Sequence, residues 1–291
     1  MDLAGTLARH WGMNGARVRP LGGGMNSETW MVEHRGSFFV AKLVASMELA
    51  ELEAGCGVAS MLAEAGLATG RPIPTLAGRT VLTQPALALL EHVPGRSLHG
   101  ETDEEQEWMA DTLAGVHAAG RPAIGPSVAT FGLDWLSPEL PGVASHRWLL
   151  AAIQAVREET DQLGVTWSVL HTDPSPGAFI HDDKNGVTGL IDWTGARRGP
   201  VLYDLASVVM YLGGAGHAAT FLQSYESRGL VAAREMRHLD AFRRFRETVQ
   251  GAYFAGRLAT NNLTGDIDQA ENEKGLADAR RRLGALGLDT A

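Results

Sequence analysis

Residues Val169–Ala206 read V-L-H-T-D-P-S-P-G-A-F-I-H-D-D-K-N-G-V-T-G-L-I-D-W-T-G-A-R-R-G-P-V-L-Y-D-L-A. The apolar run Trp167–Leu170 delivers His171 and Asp173 at its end, and a second apolar run, Val187–Ile191, ends on Asp192. Between them His181–Gly186 (H-D-D-K-N-G) turns the chain. Asn-Gly between two β-prone segments predicts a hairpin, because both residues tolerate positive φ. Two acids at the ends of short strands suit a base beside a metal-bound phosphate.

These residues carry a resemblance. H-x-D followed by an alanine five residues on, then I-D-W, is similar to the catalytic segment of the aminoglycoside phosphotransferase/choline kinase-type family. These enzymes are relatives of protein kinases that phosphorylate small molecules. The family's usual form is H-G-D-L-H-P-G-N, a hairpin, I-D-(W/F), and then D-P-x-x-D-L-A. This chain has His171, Asp173, Pro176, Gly177, Asp192 and Leu202–Ala206 (L-Y-D-L-A) in the matching places. The resemblance implies that Asp173 accepts the substrate hydroxyl proton and that His171 supports the loop. It also implies that Asp192 holds Mg²⁺ on the ATP phosphates and that Asp204 braces the segment. One position departs from the pattern: its metal-binding Asn falls on Ala178, whose methyl cannot ligate a cation. The second metal position has therefore lost its protein oxygen. The fold implied is α+β and two-lobed, a small antiparallel sheet with one helix followed by a larger, mainly helical lobe.

Composition sets wide limits around that segment. The chain has 291 residues, 45% hydrophobic and 20% charged, which is ordinary for a globular protein of one or two domains. A formal charge of −9 argues against a sequence-independent nucleic-acid binder, which needs excess Lys and Arg. The single Cys56 permits no internal disulfide and fits a reducing, cytoplasmic setting. The N-terminal residues lack the basic start and apolar core of a secretory signal. Apolar runs all fall short of the roughly 20 residues that span a membrane.

Outward from the catalytic segment, the chain reads as a sheet followed by helices. Leu3, Leu7 and Trp11 have helical spacing. Val18–Glu33 reads as strand, glycine-rich turn and strand, a hairpin whose exposed N–H groups suit phosphate. It resembles the family's nucleotide loop, which would place Gly23, Gly24, Asn26 and Ser27 at the nucleotide. Neither the P-loop nor the dinucleotide glycine pattern is present. Lys42 interrupts the apolar strand Ser37–Val44, where a lone ammonium is costly to bury. By the resemblance it meets the α- and β-phosphates and pairs with an acid on the next helix. Residues 47–65 have helical spacing with a stripe of Leu52, Cys56, Ala59 and Leu62, and Glu53 borders it as the favoured partner. The strand from Ala86 is halted by Pro94-Gly95, which marks the lobe boundary between 1–93 and 94–291. Glu91, His92 and Val93 fall where the family offers backbone groups to adenine.

Helices are expected over 102–119, 148–163, 221–228, 232–259 and 269–286, and residues 205–212 continue apolar. His117 reads as a helix-terminal core residue, His181–Asp183 as the polar tip of the hairpin, and Asp240, Glu247 and Arg280–Arg282 as solvated faces. A metallohydrolase built on the His and Asp residues of 171–192 lacks paired-His spacing. The expected activity is transfer of phosphate from ATP, with Mg²⁺, to a hydroxyl of a small molecule, held near Ser175, Trp193 and Tyr253. Two alternatives stand beside it: a kinase acting on Ser or Thr of a peptide, and a pseudokinase scaffold that lost catalysis with Ala178. No nucleic-acid or membrane partner is expected.

Overall fold

The computed structural model describes residues 1–22, 27–121, 130, 136–161, 163–265 and 267–288. The chain folds as two compact units. Of the described residues, the first takes in 1–98 and 177–196, and the second takes in 99–121, 130, 136–176 and the chain from Arg197 on.

In the first unit, α1 (Leu3–Trp11) starts at Asp2, whose carboxylate accepts the Gly5 N–H at 2.9 Å. The Trp11 indole N–H donates to the Ile73 carbonyl at 2.8 Å. Strands β1 (Arg17–Leu21), β2 (Ser27–His34), β3 (Ser37–Val44), β4 (Val81–Thr83) and β5 (Ala86–Glu91) form one antiparallel sheet, in the order β1-β2-β3-β5-β4. Successive strand residues face opposite sides, and the two sides bury different partners. Val32, Ala41, Leu87 and Leu89 pack with Leu3, Leu7 and Trp11 of α1. Val44, Val81, Ala86 and Ala88 pack with Leu52 and Cys56 of α2 (Leu49–Glu64). Lys42 pairs in register with Ala88 and so lies on the α2 side. The expected stripe Leu52, Cys56, Ala59 and Leu62 is buried throughout.

A second sheet in this unit joins β6 (Arg96–Ser97), β8 (Phe179–Asp182) and β9 (Val187–Leu190). The β8–β9 turn is the expected hairpin. Asp182 accepts the Lys184 N–H at 3.0 Å and the Asn185 amide at 2.6 Å, and Gly186 takes φ 65°. Those two donors, Lys184 first, hold the Asp182 carboxyl below its ordinary range. The hairpin's polar tip is narrower than His181–Asp183, because His181 is buried on β8, 2.8 Å from the Thr188 hydroxyl. Gly95 permits the approach of β6, since a Cβ there would lie 2.2 Å from the His181 carbonyl oxygen.

The second unit contains α3 (Asp103–Gly120), α4 (Arg147–Thr160), α5 (Val201–Tyr211), α6 (Ala219–Ser227), α7 (Ala233–Met236), α8 (Leu239–Ala259) and α9 (Gln269–Ala285). The pair β7 (Trp167–Leu170) and β10 (Arg197–Pro200) completes it. Thr102 caps α3 by accepting the Glu105 N–H, and three acids in the first turn favour the helix dipole. α8 packs on α4, α5 and α9. The helix expected over 232–259 is broken, because the buried Glu235 accepts the Thr166 N–H at 2.6 Å and ties down the short α7 turn. Glu247 is also not solvated: it is buried, and Arg282 Nε donates to it at 2.8 Å. Burial raises the Glu247 pKa while the Arg282 charge opposes the rise. Arg280 lies over the Trp148 ring. No helix among the described residues is long and apolar enough to cross a membrane.

Cys56 is 4% exposed, and burial pushes its thiol up to about 12, with the Lys42 charge pulling the other way. The unfolded chain would ionise this group near its ordinary value and the native protein would not. This site's contribution to stability therefore falls as pH rises from about 9 toward 12. Native protein at pH 8 should react with a chromogenic disulfide reagent only as it unfolds; one thiol labelled within the mixing time would show that Cys56 is accessible.

Candidate active site

The candidate residues fall into two constellations, one in each unit. In the first, β3 carries Lys42 into the layer between sheet and α2, where the residue is 6% exposed. Its Nζ donates to Asp192 Oδ1. Asp192 follows β9 with φ 72°, a left-handed conformation that costs an L-residue about 1–2 kcal/mol. Its side chain remains 55% exposed, and the Thr194 hydroxyl lies 3.4 Å from Oδ1. Two neighbours set this loop. The Ile191 N–H donates to the Ala178 carbonyl at 3.0 Å, and Gly55 of α2 lies against the backbone of Trp193 and Thr194. A Cβ at position 55 would sit 2.4 Å from the Trp193 carbonyl oxygen. Lys42 is thus paired with an acid 150 residues later in the chain. Glu53, the expected partner, is exposed on α2 and forms no ion pair with it.

In the second constellation, β7 leads into His171-Thr172-Asp173. Thr172 has φ 76°, a genuine strain for a β-branched residue. The Asp204 carboxylate holds that turn: its two oxygens accept the N–H groups of His171 at 2.7 Å and Thr172 at 2.8 Å. Asp204 is fully buried, and its Oδ2 also lies 3.1 Å from His117 Nε2. His117 Nδ1 lies 2.6 Å from the Tyr225 hydroxyl. Burial, then the Asp204 charge, raises the Tyr225 pKa, so the phenol keeps its proton and donates to Nδ1. That assignment leaves the His117 proton on Nε2, pointing at Asp204. His117 is the core residue expected at the helix end, and it also orients the carboxylate under the loop.

The left-handed turn at Thr172 leaves the Asp173 side chain 61% exposed. Arg246 Nη2 donates to its Oδ1 at 2.8 Å, and the Tyr211 hydroxyl donates to the same oxygen. Neither residue stood out in the sequence. Arg246 is one of several arginines on α8, and nothing in its sequence neighbours marks it as buried. Its contact with Asp173 spans 73 residues.

The remaining candidates are placed as follows. Gly23, Gly24 and Asn26 lie outside the described residues. Ser27 opens β2, opposite Val44. Glu91 ends β5, and its N–H is already used by the Arg71 carbonyl at 2.8 Å. Val93 follows it and packs near Gly189. His171 is buried, and Ser175 donates its N–H to the Asp173 carbonyl at 2.8 Å. Tyr253 lies on α8 beside Phe254, its hydroxyl accepting from Arg257 at 3.3 Å. Trp193 is buried in the first unit, its indole N–H donating to the Leu190 carbonyl at 2.9 Å. That side chain is a packing element rather than a surface for an acceptor. Among the described residues no group of three His, Cys, Asp or Glu side chains is placed to hold a metal.

A small antiparallel sheet unit with a helix, followed by a larger helical unit, is the protein-kinase-like fold. Amicoumacin kinase hAmiN, solved with AMP-PNP, Ca²⁺ and Ami, matches with TM-score 0.76 at 14% identity, over 98% of this chain and 94% of that one. A microcompartment-associated aminopropanol kinase matches with TM-score 0.71 at 18% identity, over 99% of both chains. Choline kinase LicA from Streptococcus pneumoniae matches with TM-score 0.69 at 16% identity, over 95% of this chain and 98% of that one. No curated protein sequence matches the chain. The model of the phosphotransferase enzyme family (APH) matches residues 17–242. The chain belongs to that family and is a phosphotransferase.

Replacing Asp204 by Asn would set an amide against donor N–H groups while removing a buried charge. We expect Asp204→Asn to lower unfolding free energy by about 1–3 kcal/mol in a urea titration, the cost of leaving a buried donor unmet; an unchanged free energy would mean that the carboxylate does not carry the loop.

Proposed function

We propose that this phosphotransferase moves the γ-phosphate of ATP to a hydroxyl of a small molecule, with Mg²⁺ as the accompanying cation. The observation that carries the reading is the pairing of the buried Lys42 ammonium with Asp192. The two groups hold opposite charges side by side, one suited to phosphate oxygens and the other to a cation. In this reading Lys42 takes the α- and β-phosphates and exchanges Asp192 for them when nucleotide enters. Ser27, which opens β2, meets the phosphates. Backbone groups near Glu91 and Val93 serve adenine, with the Val93 side the better candidate because the Glu91 N–H is occupied. Glu53 acts from α2 only as part of the surrounding charge.

The residues present fit a weakly held Mg²⁺. Asp192 supplies one exposed carboxylate and Ala178 supplies no ligand, and Mg²⁺ normally keeps several waters beside one or two carboxylates and phosphate oxygens. Bound there, the ion neutralises phosphate charge. The chain's own part is alignment. Asp173 accepts the acceptor's hydroxyl proton as that oxygen bonds to the γ-phosphorus. The bond to the β,γ-bridging oxygen breaks, and ADP leaves with the electron pair. His171 and Asp204 hold the loop that presents Asp173. The acceptor contacts Ser175 and the Tyr253 side of α8. A cytoplasmic site of action agrees with an ATP donor and with a lone reduced cysteine.

The test is phosphate transfer from Mg-ATP to a panel of amino alcohols, sugars and Ser/Thr peptides. Transfer to a small alcohol supports the reading, transfer confined to peptides moves it to a peptide kinase, and no transfer with no binding removes it. Mg-ATP should raise the melting temperature by mass action, and Lys42→Ala should abolish most of that rise. Asp173→Asn should keep the rise while cutting turnover by about 10²–10⁴; an unchanged rate in that variant would remove Asp173 from the chemistry. Ala178→Asn restores a ligand oxygen and should lower the Mg²⁺ concentration needed for half-maximal rate. An identical Mg²⁺ dependence would place residue 178 away from the cation.

A further inference from the structure

The least expected feature of the second unit is the treatment of Asp173. Its side chain reaches solvent, yet one of its oxygens is held by two donors anchored in the helical core. Arg246 is 6% exposed on its side chain and spends its planar fork on three partners. Nε donates to the Ser207 hydroxyl at 3.1 Å, Nη1 to Gln250 Oε1 at 2.5 Å, and Nη2 to Asp173 Oδ1 at 2.8 Å. Ser207 in turn donates to the Tyr203 carbonyl at 3.0 Å, inside α5. The Arg246 guanidinium lies 5.9 Å from the Tyr211 ring centre, and the Tyr211 hydroxyl reaches Asp173 Oδ1 from α5. Burial raises the Tyr211 pKa, with the Arg246 charge opposing, so Tyr211 keeps the proton that it donates. Asp173 Oδ2 receives no donor from the described residues.

We propose that Arg246 and Tyr211 are positioning residues for phosphoryl transfer: they clamp Asp173 through Oδ1 and leave Oδ2 as the only oxygen that can take the acceptor's proton. The proposal rests on the reading of Asp173 as the proton acceptor. An exposed carboxylate otherwise samples several rotamers, and only one of them aims an oxygen at an incoming hydroxyl. Two donors on one oxygen remove that freedom before the acceptor arrives. The fork geometry matters as much as the charge, because Lys would donate from one atom and could not hold Ser207, Gln250 and Asp173 together. The clamp also explains why a buried arginine is kept on α8. Its charge is met by Asp173, and two further N–H groups are met by Ser207 and Gln250, partners of the kind that burial of a cation requires.

The test needs no knowledge of the acceptor, since water serves as one. In the hydrolysis of Mg-ATP a water oxygen bonds to the γ-phosphorus, its proton goes to Asp173, and ADP leaves with the bridging oxygen. Phosphate release and the Mg-ATP melting shift are measured for the full chain and for Tyr211→Phe, Asp173→Asn and the double variant. Tyr211→Phe keeps the ring under Arg246 and removes one hydroxyl. It should slow release by about tenfold, the rate equivalent of one charge-assisted hydrogen bond, with the melting shift unchanged. In the Asp173→Asn background the same change should cost less than about twofold, because the clamp has lost the group on which it acts. Arg246→Lys, if it folds, should be slower than Tyr211→Phe. Unchanged or faster release by Tyr211→Phe would overturn the proposal, as would a tenfold loss that persists without Asp173. Faster release would show Tyr211 to be a shield against water. Absence of both release and melting shift in the unaltered chain would instead remove the reading of the function, and the clamp with it.

Discussion

The loop that carries Asp173 depends on one buried carboxylate. Asp204 sits at the first turn of α5 and accepts the N–H groups of both His171 and Thr172. Those two bonds hold Thr172 in a left-handed conformation that a β-branched residue otherwise avoids. The resulting turn is what separates the buried His171 from the exposed Asp173. Burying the carboxylate is tolerable because every contact made to it is a hydrogen bond from a fixed donor, including His117. The Tyr225–His117–Asp204 chain therefore runs from α6 to the loop as one polar network inside the helical unit.

A similar economy of charge recurs at Lys42, Arg246 and Glu247, each of them buried and each answered by an opposite charge. Lys42 and Arg246 differ from Glu247 in the exposure of the partner. Asp192 and Asp173 both face solvent, whereas Arg282 mostly covers the charge it meets. A buried cation aimed at an exposed acid is a poor device for stability, since solvent weakens the attraction. It is a good device for holding a reactive carboxylate in one orientation. The same two acids also follow strands and lie in or next to left-handed backbone, at Asp192 itself and at Thr172 before Asp173. Strain and paired charge coincide at the positions where the proposed chemistry needs fixed oxygens.

Much of this was legible in the sequence where short-range rules apply. Asn-Gly between β-prone segments announced the β8–β9 hairpin, and helical spacing announced α1 and α2 with their buried stripes. The spacing His171, Asp173, Asp192, Asp204 carried the family, which the match over 17–242 bears out. The misreadings are all of one kind. Glu247 and Arg282 looked like solvated charges because each lies among polar neighbours in sequence, and the α8–α9 packing that buries the pair joins residues 35 apart. The long helix over 232–259 failed because Glu235 finds Thr166, 69 residues earlier. Trp193 looked available, and Gly55 packs against its backbone from another element.

The sequence alone pointed to the residues proposed to bear the chemistry and to the local shape around several of them. Such features depend on backbone preference and on side-chain type within a few residues, and both are written locally. Tertiary structure decided which charges meet. Lys42 is paired across 150 residues with Asp192 rather than with the neighbouring Glu53, and Asp173 is paired across 73 residues with Arg246. An ion pair between distant residues has no periodicity or spacing of its own, because it exists only once packing has removed water from one partner and brought the other within bonding distance.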